Sequence, residues 1–280
     1  MRLGGPLFVS YQDPQGWVFA VKKYGYSASY CPVGIDRLGN TSLIRAYEKA
    51  AKDANIVIAE VGAWSNPLSP DQKIRSESIE KCKKSLLLAD EIGACCCVNI
   101  AGSRGTKWDG PCAADLTDET FDLIVETVRS IIDAIRPKRT FYTLETMPWM
   151  YPDSADNYVK IIKAIARKQF AVHFDPVNLI CSPQRYFNNA AMIKECFKKL
   201  GPYIKSCHGK DILLSEKFVV HLDEVQPGLG KLDYGVYLEE LDKLNPDLPL
   251  MLEHLSTEEE YAGAAKYVRR IAGEKGVRII

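Results

Sequence analysis

The chain has 280 residues, 46% hydrophobic and 26% charged, which is enough apolar material for a large core and excludes a disordered or fibrous chain. Its 36 basic and 36 acidic residues cancel, leaving no global field for a polyanion, so nucleic acid is not the expected partner. No apolar run reaches membrane-spanning length, the first ten residues hold too short a stretch for a secretory leader, and nine cysteines, an odd number, describe no disulfide framework. A cytoplasmic, reducing location follows as the expectation, with Cys95, Cys96 and Cys97 as small buried hydrophobes on both faces of one strand.

In chain order, residues 3–9 read as a first strand, interrupted by Gly4 and Gly5, 15–23 as a helix, 26–31 as a strand and 41–54 as a capped helix. Residues 56–61 form a β-branched third strand that opens into a loop with Trp64, Pro67 and Pro70. The helix 72–92 sets Ile74, Ile79, Cys82, Leu86 and Ala89 along one face and stops at Gly93. Strands at 94–101, 139–145, 170–175 and 203–208 then alternate with helices at 118–135, 157–168 and 190–200. An apolar piece at 218–222 and a turn with Pro227, Gly228 and Gly230 read as a loop insertion before helix 234–244, strand 248–255 and a closing helix 258–272. Eight strands alternating with eight helices, with no linker or repeat, predict an α/β chain folded as a (β/α)8 TIM barrel, one domain over residues 1–280. No Walker-type loop and no GxGxxG after a strand is present.

In such a barrel all strand C-terminal ends meet on one face, so residues distant in sequence converge there. Glu145, Asp175, His208 and Glu253 each stand at the end of a separate apolar run, and strand alternation places Thr143, His173, Ser206 and Met251 on the same respective faces two residues earlier. Three carboxylates and one imidazole make a hard, oxygen-rich metal site, favouring Mn2+, with Mg2+, Co2+ and Zn2+ as alternatives. Only four histidines exist (His173, His208, His221, His254), too few for a multi-zinc cluster. Taken singly, each carboxylate would rather be read as a cap or turn residue, above all Asp175 before Pro176. His173 reads as a satisfied core histidine, or as a group reaching substrate from the layer below.

The segments LET at 144–146, HFDPVN at 173–178, HGKD at 208–211, GLGKLDY at 228–234 and LEH at 252–254 occur in barrel order. In them the chain resembles the sugar phosphate isomerase/epimerase family of xylose isomerase-like TIM barrels. The resemblance implies that Glu145, Asp175, His208 and Glu253 ligate the metal and that Glu145 and Glu253 also handle protons, with Lys210 binding a substrate oxygen or neutralising the carboxylates. The implied chemistry is removal of a proton beside a metal-polarised carbonyl of a sugar or polyol, giving isomerisation or epimerisation. A leaving group β to the carbanion turns the same start into elimination, as in inosose dehydratase-like members, which share the H-x-K-D form, or in a C-glycoside deglycosidase catalytic subunit. Free ketose epimerases of the family have a His and an Arg where this chain has Asn178 and Leu214, which argues against a ketose 3-epimerase. Endonuclease IV-like enzymes share the fold but need metal histidines absent here.

Candidate substrate contacts are Glu60 with Trp64, Asn99 with Trp108 and Arg104, His173, and Lys210. Glu60 reads as a second base or as an ion-pair partner of Arg104 or Lys107, Trp149 and Tyr151 as a pocket cap or interface, and Lys81, Lys83 and Lys84 as a solvent face. The expected partners are a small sugar or polyol, no nucleic acid and no membrane, with a homo-oligomer, or a β-rich second subunit in the deglycosidase case.

Overall fold

The computed structural model describes all 280 residues. Eight parallel strands form one sheet, β1 (Arg2–Gly4), β2 (Ala28–Tyr30), β3 (Val57–Gly62), β4 (Cys96–Asn99), β5 (Tyr142–Glu145), β6 (Phe170–Phe174), β7 (Ile204–Gly209) and β10 (Pro249–Leu252), in the order β1-β10-β7-β6-β5-β4-β3-β2. The sheet curls into a nearly closed barrel: across the remaining seam, between β1 and β2, the Ser27 N–H donates to the Leu3 carbonyl at 3.0 Å. Parallel strands covered on both faces must be apolar nearly throughout, and β4, β5, β6 and β10 are buried at every position. One continuous cluster of 61 buried apolar residues runs from Met1 to Val277, so the chain has a single core.

Helices α1 (Pro14–Lys23), α2 (Thr41–Asp53), α3 (Gln72–Ile92), α4 (Asp118–Ile135), α5 (Ala155–Ile165), α7 (Asn189–Leu200), α8 (Tyr234–Asp242) and α9 (Glu258–Lys275) return the chain to the opposite end of the barrel. Most begin on a side-chain cap: Asp71 accepts from the Lys73 and Ile74 amides, Ser154 from Asn157, and Thr257 forms a reciprocal capping box with Glu260. Each such cap contributes about 1 kcal/mol. Along α3 the expected stripe is buried at Cys82, Leu86 and Ala89, whereas Ile74, in the first turn, is exposed.

Four features depart from the expected pattern. The first strand ends at Gly4 rather than running to residue 9, because the sheet pairs only Arg2–Gly4 with β10. Gly4 is required there: a Cβ would lie 2.6 Å from the Ala28 carbonyl oxygen and 2.6 Å from the Met251 sulfur, so the methionine fills the space a side chain would take. The expected loop insertion is an antiparallel hairpin, β8 (Asp211–Ser215) with β9 (His221–Val225), whose tip exposes Phe218, Val219 and Val220. A short helix, α6 (Pro183–Phe187), precedes α7, and α5 starts two residues before its expected position, on the Ser154 cap.

All nine cysteines are free. Cys96 and Cys97 on β4 are fully buried as expected, whereas Cys95 lies just before the strand and is only half-buried; burial pushes the Cys96 and Cys97 thiols well above the ordinary range, which leaves them inert. No helix is long and apolar enough to cross a membrane.

Candidate metal centre

Glu145 is the last residue of β5, Asp175 follows β6 directly, His208 is the last residue but one of β7, and Glu253 follows β10 directly. The sheet order makes these four strands neighbours, β10-β7-β6-β5, so the four side chains fall into one cluster rather than around the rim. One ligating atom from each lies within 4.8 Å of all the others. His208 Nδ1 is 2.7 Å from Glu253 Oε1, 3.0 Å from Glu145 Oε1 and 3.9 Å from Asp175 Oδ2. An ion with bonds of about 2.1 Å separates neighbouring ligand atoms by about 3 Å and opposite ones by about 4 Å.

The local supports of the cluster are readable residue by residue. Asp175 divides its carboxylate: Oδ1 accepts the Val177 amide at 2.9 Å, the turn role that Pro176 suggested, while Oδ2 faces the cluster. Thr146 brackets the same residue, its hydroxyl donating to the Asp175 carbonyl and accepting from the Asp175 amide. Asn178, which stands where ketose epimerases of the family have histidine, donates to Glu145 Oε1 at 3.1 Å. Behind β7, the hydroxyls of Tyr237 and Tyr234 donate to the carbonyls of His208 and Lys210. Asp211 accepts four backbone amides, those of Ile212, Gly228, Gly230 and Leu232, so the GLGKLDY segment wraps around the aspartate of HGKD. Gly230 approaches so closely that a Cβ would collide with Asp211 Oδ1.

Electrostatically the cluster is overloaded with negative charge. Lys210, 2% exposed, places its ammonium 2.7 Å from Glu253, 2.8 Å from Asp175 and 3.6 Å from Glu145. Burial opposes its charge, but those carboxylates outweigh the burial and hold its pKa well above the ordinary value. Burial likewise opposes a charged His208, and Glu253 and Glu145 outweigh it, raising that ring well above its usual pKa. Glu145 is pushed up by burial, whereas at Glu253 burial is outweighed by His208 and Lys210, which hold it well below the usual carboxylate range. Despite the nearby ammonium, Asp175 Oδ2 and Glu253 Oε1 have no aligned hydrogen-bond donor. Without an ion the raised His208 keeps its proton and, with Lys210, offsets two of the three carboxylates; a cation that took the place of that proton would meet three carboxylates against one ammonium, two negative charges, the charge of a divalent ion. Donor set, spacing and charge therefore fit a hard divalent cation.

A cavity of about 530 Å³ opens above the cluster, within the roughly 300–1,000 Å³ of small-ligand sites. Glu145, Glu253 and Lys210 reach it from the ligand side, and Trp64, Trp108 and Trp149 stand in its wall. Trp149 is fixed by its indole N–H donating to the Asp109 carbonyl, while Tyr151 lies outside and donates to the Leu116 carbonyl. Lys81, far from merely facing solvent, donates to the Trp64 carbonyl at 2.9 Å and steadies that loop. Among the lining residues not placed at the site from sequence are Glu224, carried in by β9, and His254, whose Nδ1 lies 3.0 Å from Glu224. Only the hairpin pairing brings Glu224 there, and no local motif announces it.

Of the expected substrate contacts, Trp64, Trp108 and Lys210 line the cavity, whereas Glu60, Asn99 and His173 lie outside its lining and are buried. Asn99 is committed to Ser65, accepting its amide and donating to its carbonyl. Glu60 pairs with neither Arg104 nor Lys107; Arg104 reaches Glu119 and Lys107 reaches Asp109. Its neighbours are instead Ser206, His173 and His208. His173 is not satisfied: both ring nitrogens are buried without a hydrogen-bond partner, and burial, with His208 beside it, pushes its pKa down to about 4, so the ring is neutral. Leu214, in the place of the epimerase arginine, sits on the hairpin and does not line the cavity.

The family model of the xylose isomerase-like TIM barrel matches residues 19–271. The chain belongs to that family. No curated protein matches its sequence significantly. Among solved structures it is similar to the probable 3-DHS dehydratase AsbF from Bacillus anthracis, at 15% identity and TM-score 0.69, over 96% of this chain and 98% of that one. It is also similar to the 3-keto-D-glucoside 4-epimerase YcjR from E. coli, at 14% identity and TM-score 0.67, over 96% and 99%. Endonuclease IV from Thermus thermophilus matches at 15% identity and TM-score 0.70, over 98% and 100%. At these identities the likeness to each structure is one of fold, and one fold serves several chemistries.

Proposed function

We propose that this family member is a divalent-metal-dependent isomerase or epimerase of a sugar or polyol carbonyl compound, with Mn2+ as the favoured ion held by Glu145, Asp175, His208 and Glu253. The observation that carries the reading is the pair Glu145 and Glu253: both belong to the cluster and both line the cavity, so each can meet substrate as well as cation. When bound, the ion supplies Lewis acidity that makes a C–H beside a carbonyl removable near neutral pH.

The chain's own residues then have distinct tasks. Glu145 on β5 and Glu253 after β10 come from the two outer strands of the ligand set, with β6 and β7 between them, so they approach a substrate from different sides. One carboxylate takes the proton from the carbon and the other returns one to the opposite face, which inverts the centre. Lys210 lies close enough to both carboxylates to stabilise oxyanion character on a neighbouring oxygen, and the three tryptophans shield the reacting carbon from water while offering faces to the sugar.

Elimination is the second reading, favoured by Asn178 and Leu214 in place of the epimerase His and Arg and by the aromatic wall, which suits a substrate with an apolar leaving group. The two readings share the first proton transfer. Incubation with a 3-keto sugar or an inosose in D2O separates them: deuterium uptake at unchanged composition supports isomerisation or epimerisation, and loss of water or an aglycone supports elimination. No exchange and no mass loss across such a panel, with the metal present, would sink both.

A further inference from the structure

Below the candidate metal cluster lies a second buried group that the proposed chemistry does not use. Glu60 on β3, 2% exposed, has Oε1 3.5 Å from His208 Nε2. Its Oε2 accepts the Ser206 hydroxyl at 3.0 Å and lies 3.5 Å from His173 Nδ1. Ser206 and His173 each precede a candidate ligand by two residues on the same strand, so Glu60, Ser206 and His173 form one layer under His208 and Asp175. The cavity above the cluster does not reach that layer, and the ring of His173 packs edge-on against that of His208 with centroids 4.1 Å apart.

A buried carboxylate with no cation beside it needs N–H or O–H donors. Ser206 provides one, and His208 Nε2, buried and without a hydrogen-bond partner, faces the other oxygen at 3.5 Å. A histidine that ligates through Nδ1 carries its remaining proton on Nε2, and a carboxylate accepting that proton fixes both tautomer and ring angle. The opposite edge of His208 is the one that meets Glu145 and Glu253. We infer that Glu60 is a positioning residue for His208: it accepts the Nε2 proton and so holds the Nδ1 lone pair toward the three carboxylates, while the Ser206 hydroxyl keeps Glu60 in place. The inference rests on the metal reading above and assigns Glu60 neither substrate nor proton transfer.

The test is Mn2+ binding to the full chain, by competition with a chelating dye, for the unaltered protein, Glu60→Gln and Glu60→Ala, with the melting temperature of each metal-free protein measured alongside. The unaltered protein is expected to bind one Mn2+ per chain. Glu60→Ala is expected to bind about 10- to 100-fold more weakly. Glu60→Gln, whose amide oxygen still accepts the Nε2 proton in a side chain of the same shape, is expected to lose less and to keep the variant set usable if the alanine form folds poorly. On the Mg2+-loaded protein, 15N-resolved imidazole spectra should show His208 protonated on Nε2, and this preference should blur in Glu60→Ala. Unchanged affinity with a lowered metal-free melting temperature would make Glu60 a structural residue only. Two ions per chain, one lost in Glu60→Ala, would make Glu60 and His173 ligands of a second metal and overturn the positioning role. No Mn2+ bound by the unaltered protein would remove the metal reading itself, a failure visible before any variant is compared.

Discussion

The two halves of the barrel bring different side chains to the cavity. Strands β5, β6, β7 and β10 bring acid and imidazole to one point and leave little room for variation, since each contributes one side chain at its end. Strands β2, β3 and β4 contribute no member of that cluster; on their side stand Trp64 and Trp108, carried by the long loops after β3 and β4, while the third wall tryptophan, Trp149, follows β5 on the ligand side. On the proposed function, the first half would set which bond is labile and the second would help decide which molecule is held, a division of labour that lets barrels change substrate while keeping chemistry.

The sharpest way to break that division is to neutralise a carboxylate on the first half. Glu145→Gln and Glu253→Gln should each lower kcat about 10²- to 10⁴-fold, measured on whichever keto substrate shows exchange, with near-unchanged circular dichroism. A comparable loss from a change in the tryptophan wall, or full activity in either glutamine variant, would erase the distinction.

Asp211 tests whether the first half also depends on a purely structural acid. Its two oxygens take four amides, so Asp211→Asn replaces an acceptor for two of them with a donor. The expected cost is about 3 kcal/mol of stability, read as a lower urea midpoint, with kcat below the melting range within a few-fold of the parent. A collapse of kcat at unchanged stability would place Asp211 in the chemistry instead.

Asp211 also marks where sequence reading runs out. The four candidate ligands are legible because strand alternation and barrel closure act on each run independently: knowing that Asp175 ends β6 needs no knowledge of β10. What Asp211 binds depends on a turn seventeen residues away, and Glu60 meets His173 and His208 only through closure of the whole sheet, so no local pattern separates it from an ion-pair partner of Arg104. Residues 218–222 read as an insertion because Phe218, Val219 and Val220 form an exposed apolar tip, whereas only His221 and Leu222 of that piece are paired, with β8, whose residues 211–215 the sequence reading leaves outside any strand. The first strand reads too long for a related reason: Gly4 is fixed by Ala28 and Met251, contacts that composition cannot foresee.

Metal removal probes the ligand half as a unit. Chelator treatment should lower the melting temperature, and Mn2+ at 100 times its dissociation constant should restore about 2.7 kcal/mol, roughly 5 °C for a chain of this size. The shift should vanish in Asp175→Asn if the cluster is the binding site. Persistence of the full shift in that variant would move the ion elsewhere in the molecule.

The smallest effect belongs to the other half. Trp108 is 37% exposed at the cavity wall and makes no hydrogen bond to the candidate ligands, so on the proposed function its contribution would be a face against which substrate packs equally in the ground and transition states. Trp108→Ala should raise KM about 3- to 10-fold, the equivalent of about 0.5–1.5 kcal/mol of aromatic contact, and leave kcat within about two-fold. The same substitution discriminates the two proposed reactions: if an apolar leaving group stacks on this wall, the penalty should appear for a substrate bearing an aromatic aglycone and be nearly absent for the free keto sugar. Equal penalties for both would locate the sugar ring itself against Trp108, and a fall in kcat with KM unchanged would assign the tryptophan to the side of the barrel that handles the proton.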